Sequence, residues 1–270
     1  MKRLKRLPVL LIAVLMCFLQ ACDKNNNLSL FSVQNDVELG QQVSQEIANN
    51  PQEFPVLSES QYPEAYTYLE GILDEILASD EVAYKEEFAW EIKIIQDDDV
   101  LNAFATPGGY IYIYTGLIKY LDSEDDLAGV LGHEIAHADL RHTSRQLQRQ
   151  YGISILLSVA LGQDPGTLEQ IAAQIAGGLA GLRFSREFEE EADSRSVDYL
   201  ADTDYACNSA ASFFEKLLAE EQNSGTPEFL STHPSPDNRV ADINAKAEDI
   251  NCDTTPLNPS SYDNFKNMLP

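Results

Sequence analysis

The chain is poor in basic residues and in cysteine, and both shortages exclude classes of function. Its 270 residues include 18 lysines and arginines against 44 acidic residues, which gives a formal net charge of −26. So negative a surface repels nucleic acids and anionic lipid headgroups, and we expect neither as a partner. The four cysteines form no Cys-x-x-Cys pair, so the sequence lacks the ligand spacing of a cysteine-bound zinc site.

Several of the few basic residues lie at the N-terminus, in a segment typical of a secretory signal. Met1–Arg6 holds two lysines and two arginines, and the apolar segment Leu7–Leu19 that follows is too short to span a bilayer comfortably. Residues 1–21 are therefore predicted to be a cleaved signal peptide.

The cysteine that follows is predicted to carry a lipid. Leu19-Gln20-Ala21-Cys22 resembles the bacterial lipoprotein signal box, which implies acylation of Cys22 and attachment to a membrane on its periplasmic side. The choice between inner and outer membrane stays open, and the alternative is an ordinary signal followed by an incidental cysteine. The polar residues 22–33 are then a tether between the lipid and the folded body.

Composition divides the rest of the chain into a body and a tail. Residues 34–250 carry periodic apolar positions and are predicted to form one domain, whereas residues 251–270 are polar and proline-bearing and are predicted to be a loosely packed tail. Cys207 and Cys252 are an even pair in an oxidising compartment, which predicts one disulfide, with two free thiols as the alternative.

The spacing of apolar residues predicts an α+β fold that is mostly helical. Helices are predicted over Gln34–Asn49 and about Glu59–Ala78. Alternation by two predicts strands at Phe88–Ile95, Leu101–Thr106 and Tyr110–Tyr114, which we assign to a small antiparallel sheet whose last two strands form a tight hairpin.

Two later segments, Tyr151–Gly162 and Ile171–Leu182, are rich in apolar residues. Each is too short to cross the roughly 30 Å hydrocarbon core of a bilayer. The pattern favours a buried helical hairpin, and contact with a membrane surface is the alternative.

Ser123–Gln146 is predicted to be one capped helix with a metal-binding motif at its centre. In His133-Glu134-Ile135-Ala136-His137, residues four apart differ by about 40° around the helix axis, so both imidazoles leave the same face with Glu134 beside them. Two neutral nitrogen ligands with an adjacent general base are what zinc-dependent hydrolysis needs. The alternative is a helix with two partly exposed histidines. His142 is nine positions after His133, about 180° away around the helix, which excludes it as a ligand.

A second helix is predicted to begin after Ser185 and to run to about Leu200. Taken alone, its acidic residues are typical of a solvated helix face. A zinc site with two histidines needs a third protein ligand, however, and a glutamate such as Glu189 supplies it. Asp193 lies four positions later on the same face, where it can accept the second N–H of a ligating imidazole and fix its tautomer.

Together these motifs resemble the family of HtpX-like and CAAX-prenyl-type zinc endopeptidases, in its soluble, periplasmic lipoprotein branch (BepA-like and LoiP-like). The resemblance implies a gluzincin-type fold, one zinc ion held by His133, His137 and Glu189, and Glu134 as the general base. The peptide substrate of zinc endopeptidases commonly lies along an edge strand, and either strand of the predicted hairpin could be that edge. The alternative is a hairpin that only packs in the core. The resemblance rests on these stretches: Asn102–Ala105 with Pro107–Gly109, Gly116–Leu117, His133–His137 with Arg141–His142, and Ser185–Asp193.

A further histidine, His233, stands in a proline-flanked segment that leads to Arg239, and the family has a similar segment. One interpretation places His233 over the zinc, where it either stabilises the oxyanion or occupies the open coordination position as a shut-off ligand. The alternative is an idle surface loop turned by its prolines.

The sequence thus predicts a zinc-dependent endopeptidase with Glu134 as general base, and the resemblance implies misfolded or misassembled cell-envelope proteins as substrates. The rival is a lipid-tethered periplasmic chaperone or adaptor in which zinc only joins two helices. Glu134 counts against that rival, because a structural zinc site has no use for a base beside it. The oligomeric state is not predicted.

Overall fold

The computed structural model describes residues 24–25, 31–151, 165–178, 183–224, 228–234, 238–257 and 262–270. The predicted signal peptide, Cys22 and the apolar segment from residue 152 to 162 lie outside these ranges. At the two described positions of the predicted tether, Lys24 pairs with Glu87 at 2.5 Å and Asn25 donates a hydrogen bond to the Asp139 carbonyl at 2.7 Å. Both positions therefore contact the body instead of standing away from it.

The three predicted strands form one sheet, but the sheet is mixed and not antiparallel. Its strands are β1 (Glu91–Ile95), β2 (Ala103–Thr106) and β3 (Tyr110–Tyr114). The predicted hairpin is confirmed, since β2 and β3 pair antiparallel across a 3-10 turn at Pro107–Gly109. β1 pairs parallel with β3, in the order β1-β3-β2. The prediction for β1 is wrong because β3 lies between β1 and β2 in the sheet. Alternation along a strand indicates which side chains share a face, but it does not indicate which strands are neighbours.

The sheet separates two groups of helices. α1 (Val33–Asn49), α2 (Pro63–Leu77) and the short α3 (Thr115–Tyr120) confirm the first two predicted helices and add one turn after β3. One sheet face joins the main core, and the other packs on α1 through aromatic side chains. The residues of the first face are Ile92, Ile94, Ala103, Ala105, Ile111 and Ile113, and those of the second are Phe104, Tyr110 and Tyr112.

The predicted Ser123–Gln146 helix is broken into two. α4 (Glu124–Asp139) begins with the predicted capping box between Ser123 and Asp126, and α5 (His142–Tyr151) follows after a bend. The prediction of a single helix is wrong because Arg141 takes a left-handed conformation with φ 58°. The Arg141 guanidinium is buried, pairs with Asp36 of α1 and donates to the Phe31 carbonyl at 2.7 Å. Contacts with the N-terminal helix therefore stabilise the break.

The described part of the second apolar segment is a buried helix. α6 (Pro165–Gly177) packs on α1, and Ile171, Ala172, Ile175 and Ala176 are all buried against it. Its predicted partner helix lies outside the described residues. No helix within the described ranges is both long enough and apolar enough to cross a membrane.

The C-terminal third contributes α7 (Arg186–Leu200), α8 (Ala210–Ser224), α9 (Glu228–Thr232), α10 (Arg239–Ile250) and α11 (Tyr262–Lys266). α7 confirms the predicted helix, with Ser185 as its N-cap, and lies along α4. A disulfide joins Cys207 and Cys252.

The prediction of a loosely packed tail is wrong at α11. Tyr262 and Phe265 are fully buried. The Tyr262 hydroxyl donates to the Ile118 carbonyl at 2.7 Å, and Phe265 stacks on Tyr68 with ring centroids 4.2 Å apart. Tyr262 and Phe265 hold this otherwise polar segment against the body because burying each aromatic ring removes a large apolar area from water.

Candidate metal centre

Four buried side chains from three parts of the chain converge on one point. His133 and His137 come from α4, Glu189 from α7, and His233 from the residue after α9; one ligand atom from each lies within 4.8 Å of all the others. The Nε2 atoms of His133 and His137 are 3.0 Å apart. The Glu189 carboxylate lies 3.4 Å from the first Nε2 and 3.5 Å from the second. The structure thus brings together the three residues predicted as metal ligands.

Helix geometry accounts for this convergence. The spacing of four puts both α4 histidines on one face, and that face is the one along which α7 packs. The Ser185 hydroxyl accepts from the Phe188 N–H and fixes the start of α7. With the first turn fixed, Glu189 is directed at the histidine pair.

His233 lies against the same group of side chains and not on an exposed loop. Its Nδ1 is 3.3 Å from Glu189 and 3.4 Å from the His133 Nε2, and its Nε2 is 3.6 Å from Glu134. Its ring stacks on Phe229 with centroids 4.4 Å apart. The histidine is therefore within reach of any ion that the other three residues hold.

A layer of polar groups surrounds the predicted ligands. Asp193 lies 2.9 Å from the Nδ1 of His133, as predicted for a residue that fixes the tautomer of a ligand. Arg239 donates to Glu189 at 2.9 Å and to Asp193 at 2.8 Å. Its guanidinium also stacks over Phe214, 3.5 Å from the ring centroid. Arg239 therefore neutralises and orients both carboxylates.

Sequence reasoning missed the position of His142. On a continuous helix His142 would point away from His133, whereas the break at Arg141 returns the His142 ring to the site. Its Nδ1 lies 2.8 Å from the Nδ1 of His137, on the side facing away from the other ligands. It thus contacts a predicted ligand without belonging to the ligand group. No periodic signal in the sequence reports this contact, because Asp36, 105 positions away from Arg141, stabilises the break.

Burial and neighbouring charges set the protonation of the site. Burial raises the pKa of the Glu134 carboxyl, against the opposing effect of His233 and His133. Burial lowers the pKa of His137 well below its usual range. Burial also works against the charged form of His133, but hydrogen bonds to Asp193 and Glu189 prevail and raise its pKa to about 9. Burial opposes ionisation of Glu189 as well, yet His233 and His133 hold its pKa well below the usual range.

The donor set fits a zinc ion. Imidazole nitrogen and carboxylate oxygen are both zinc ligands, and two histidines with one glutamate form a known zinc donor set. His133 and His137 direct their Nε2 atoms inward, while each Nδ1 faces a separate partner, Asp193 and His142. An ionised Glu189 among imidazoles completes the chemistry that a divalent cation needs.

Aromatic side chains cover the site. His133, Glu134 and Glu189 are fully buried, Phe184 stacks on His137, and Phe229 stacks on His233. Substrate access therefore requires some of the residues that cover the site to move. Of the two hairpin strands that could receive a peptide, β2 is the one at an edge of the described sheet, and it packs on α4.

The sequence is similar to known metallopeptidases over most of the described body. The sequence matches the description "Peptidase family M48" over residues 49–247. It is 34% identical over 170 residues to the beta-barrel assembly-enhancing protease of Escherichia coli (strain K12), covering 57% of this chain and 34% of the relative. It is 32% identical over 179 residues to the mitochondrial metalloendopeptidase OMA1 of Schizosaccharomyces pombe, covering 65% of this chain and 51% of the relative. The matched region thus spans about a third to a half of these relatives.

Proposed function

The chain belongs to peptidase family M48, and from that premise we propose that it is a zinc-dependent endopeptidase. The observation that carries the proposal is the buried group of His133, His137 and Glu189 with Glu134 beside it on the same helix. A binding protein with a structural zinc has no need of an extra buried carboxylate there. The relatives' own names, a protease and a metalloendopeptidase, support the same activity.

Each residue has a defined task in this proposal. His133, His137 and Glu189 would hold the ion, and His233 lies close enough to be a fourth donor. The bound zinc supplies Lewis acidity at the substrate carbonyl and a water that is easier to deprotonate. Glu134 accepts the proton of the attacking water and returns it to the leaving amine. Burial raises the pKa of the Glu134 carboxyl, which favours uptake of a proton by this group.

His233 must leave its present place before a peptide can bind. Its ring and that of Phe229 cover the predicted ligands from the same side. Displacement of this segment would uncover the predicted ligands. A peptide paired with β2 would then pass over Glu134.

The cellular setting is part of the same proposal. The lipoprotein-like box at Cys22 supports a lipid anchor on the periplasmic side of a bacterial membrane. The name of the Escherichia coli relative, a beta-barrel assembly-enhancing protease, supports misfolded or misassembled envelope proteins as substrates. Wild-type protein should incorporate labelled fatty acid and a Cys22→Ala variant should not; equal incorporation by the two would remove the anchor from the proposal.

Casein hydrolysis by the full-length protein tests the enzymatic claim. Glu134→Gln should lower the rate by about a hundredfold or more, since general-base catalysis contributes roughly 10²–10⁴-fold. Chelator should abolish the rate, and added zinc should restore it. Glu187→Gln, an exposed residue of α7 paired with Arg149, is the matched control and should keep full activity.

Metal content tests the ligand set independently of activity. Wild type and Glu134→Gln should each retain one zinc per chain, whereas Glu189→Gln should lose most of it and Glu187→Gln should not. Equal casein hydrolysis in wild type, Glu134→Gln and chelated protein would overturn the peptidase assignment. Chaperone activity that persists in an inactive Glu134→Gln would favour the rival function.

A further inference from the structure

One buried polar group beside the metal centre has no task in the mechanism above: the His142 imidazole. We propose that His142, itself held by Glu191, is a positioning residue that fixes the tautomer and orientation of His137 and so strengthens zinc binding. The proposal rests on the metal site proposed above. It concerns a contact that depends on the break between α4 and α5.

The backbone break places the ring of His142 behind that of His137. His142 is the first residue of α5, directly after the left-handed Arg141. The two rings meet edge to face, with centroids 4.8 Å apart and planes at 74°. Their Nδ1 atoms are 2.8 Å apart, an ordinary hydrogen-bond distance between an N–H and an acceptor nitrogen.

If His137 is to bind a metal ion, only one arrangement of protons satisfies the contacts among His137, His142 and Glu191. The Nε2 of His137 faces His133 and Glu189 and must offer a lone pair to the ion, so its Nδ1 carries the proton. That proton is donated to the Nδ1 of His142. The proton of His142 is then on Nε2, which lies 3.2 Å from the Glu191 carboxylate and donates to it. The chain of contacts thus fixes both tautomers.

The outer end of this chain is held in place as well. Arg145 donates to both oxygens of Glu191, at 2.5 and 3.1 Å. The ring of His142 is fully buried and stacks on Phe188, with centroids 4.5 Å apart and planes at 11°. His142 therefore has one available orientation, and it presents its acceptor nitrogen to His137.

The two predicted histidine ligands are thus supported differently. The Nδ1 of His133 lies beside the Asp193 carboxylate, whereas the Nδ1 of His137 faces the imidazole of His142, which in turn contacts Glu191. Partners of this kind orient metal-ligating histidines, and their loss typically weakens metal affinity by about 10–100-fold.

Two substitutions at one position separate positioning from packing. His142→Phe keeps a ring against Phe188 but removes the acceptor. His142→Asn places a carbonyl oxygen near the former Nδ1, so it retains the acceptor while losing the reach to Glu191. Competition of the purified full-length protein with a zinc chelator should show affinity weakened by about 10–100-fold in His142→Phe. His142→Asn should remain several-fold closer to wild type.

The tautomers of His137 and His142 give a second test, because a purely packing role of His142 would not determine which ring nitrogen is protonated. In zinc-loaded protein, nitrogen NMR should find the Nδ1 of His137 protonated and the Nδ1 of His142 unprotonated. Glu191→Ala should weaken zinc binding, and Glu190→Ala, its exposed neighbour on α7, should leave it unchanged. If His142→Phe fails to fold, the His142→Asn affinity and the tautomers still decide the proposal.

The outcomes that overturn the proposal differ from those that overturn the peptidase assignment. The positioning role alone would be overturned by any of three results: wild-type zinc affinity in His142→Phe, a loss of zinc affinity in His142→Asn equal to that in His142→Phe, or the opposite tautomers of His137 and His142. Absence of zinc from the wild-type protein would instead sink the metal site.

Discussion

Arg141 shows how one residue shapes the surroundings of the metal centre. Its φ of 58° is a conformation that costs a non-glycine residue about 1–2 kcal/mol. The buried ion pair with Asp36 and the hydrogen bonds to the Phe31 and Ser32 carbonyls hold it there. The strained bend turns α5 back so that His142 meets His137. A single left-handed residue therefore decides which side chain supports a predicted ligand.

Glu191 gives a pH-dependent prediction at the same scale. Burial opposes its ionisation, but hydrogen bonds from His142 and Arg145 prevail and lower its pKa to about 2, against an ordinary value of 4.5. Between these values the unfolded chain binds more protons at this site than the folded chain does. The stabilisation is therefore complete above pH 4.5 and is lost as the pH falls toward 2.

Urea unfolding of metal-free protein measures this effect. At pH 6 Glu191→Gln should be less stable than wild type by roughly 1 kcal/mol, a modest value because the side chain is partly solvated. The gap should shrink at pH 3. Glu190→Gln serves as the control, and a gap that stays constant or widens on acidification would contradict the assignment.

At the scale of elements, two glycines of α4 lie in different surroundings. A Cβ on Gly129 would lie 2.5 Å from the backbone nitrogen of Ala210 at the start of α8, too close for either helix to remain in place. A Cβ on Gly132 would lie 3.4 Å from the Ser196 Cβ, an ordinary contact with α7. α4 therefore approaches α8 at Gly129 more closely than it approaches α7 at Gly132.

This difference predicts opposite effects for the same substitution. Gly129→Ala should destabilise the protein by about 1–3 kcal/mol, because α8 must shift. Gly132→Ala should be neutral or stabilise by up to about 1 kcal/mol, because alanine is the better helix former. Denaturant unfolding at one pH compares the two. Equal changes in both variants would show that the close approach at Ala210 does not constrain the helices.

Elements with local signals could be predicted from the sequence, and their arrangement could not. The cap at Ser123, the spacing of His133 and His137, and the cap at Ser185 act within a few residues, so α4 and α7 were predictable. The position of β1 beside β3 and the bend at Arg141 depend on contacts between distant parts of the chain. Hydrophobic periodicity carries no information about such contacts.

At the scale of the whole molecule, the disulfide between Cys207 and Cys252 encloses the part of the chain that covers the metal centre. Its loop spans 45 positions and contains α8, α9 and α10, and with them His233 and Arg239. A cross-link of this kind stabilises by about 2–4 kcal/mol, mainly by restricting the unfolded chain.

Replacing both cysteines by serine should lower the free energy of unfolding by that amount. Wild type unfolded with a reductant should match the double variant, and the double variant should not respond to the reductant. Unchanged stability in the double variant would indicate that packing alone holds α8 to α10 in place.

Because aromatic side chains cover the predicted ligands, zinc release and peptide binding both require the same covering residues to move. Because His133, Glu134 and Glu189 are fully buried, a zinc ion bound there can leave only when some of the residues that cover them move. The rate at which a strong chelator removes zinc from the loaded protein would then report how often the site opens, without any substrate present. A folded protein that cannot enter the covered site would not be cleaved.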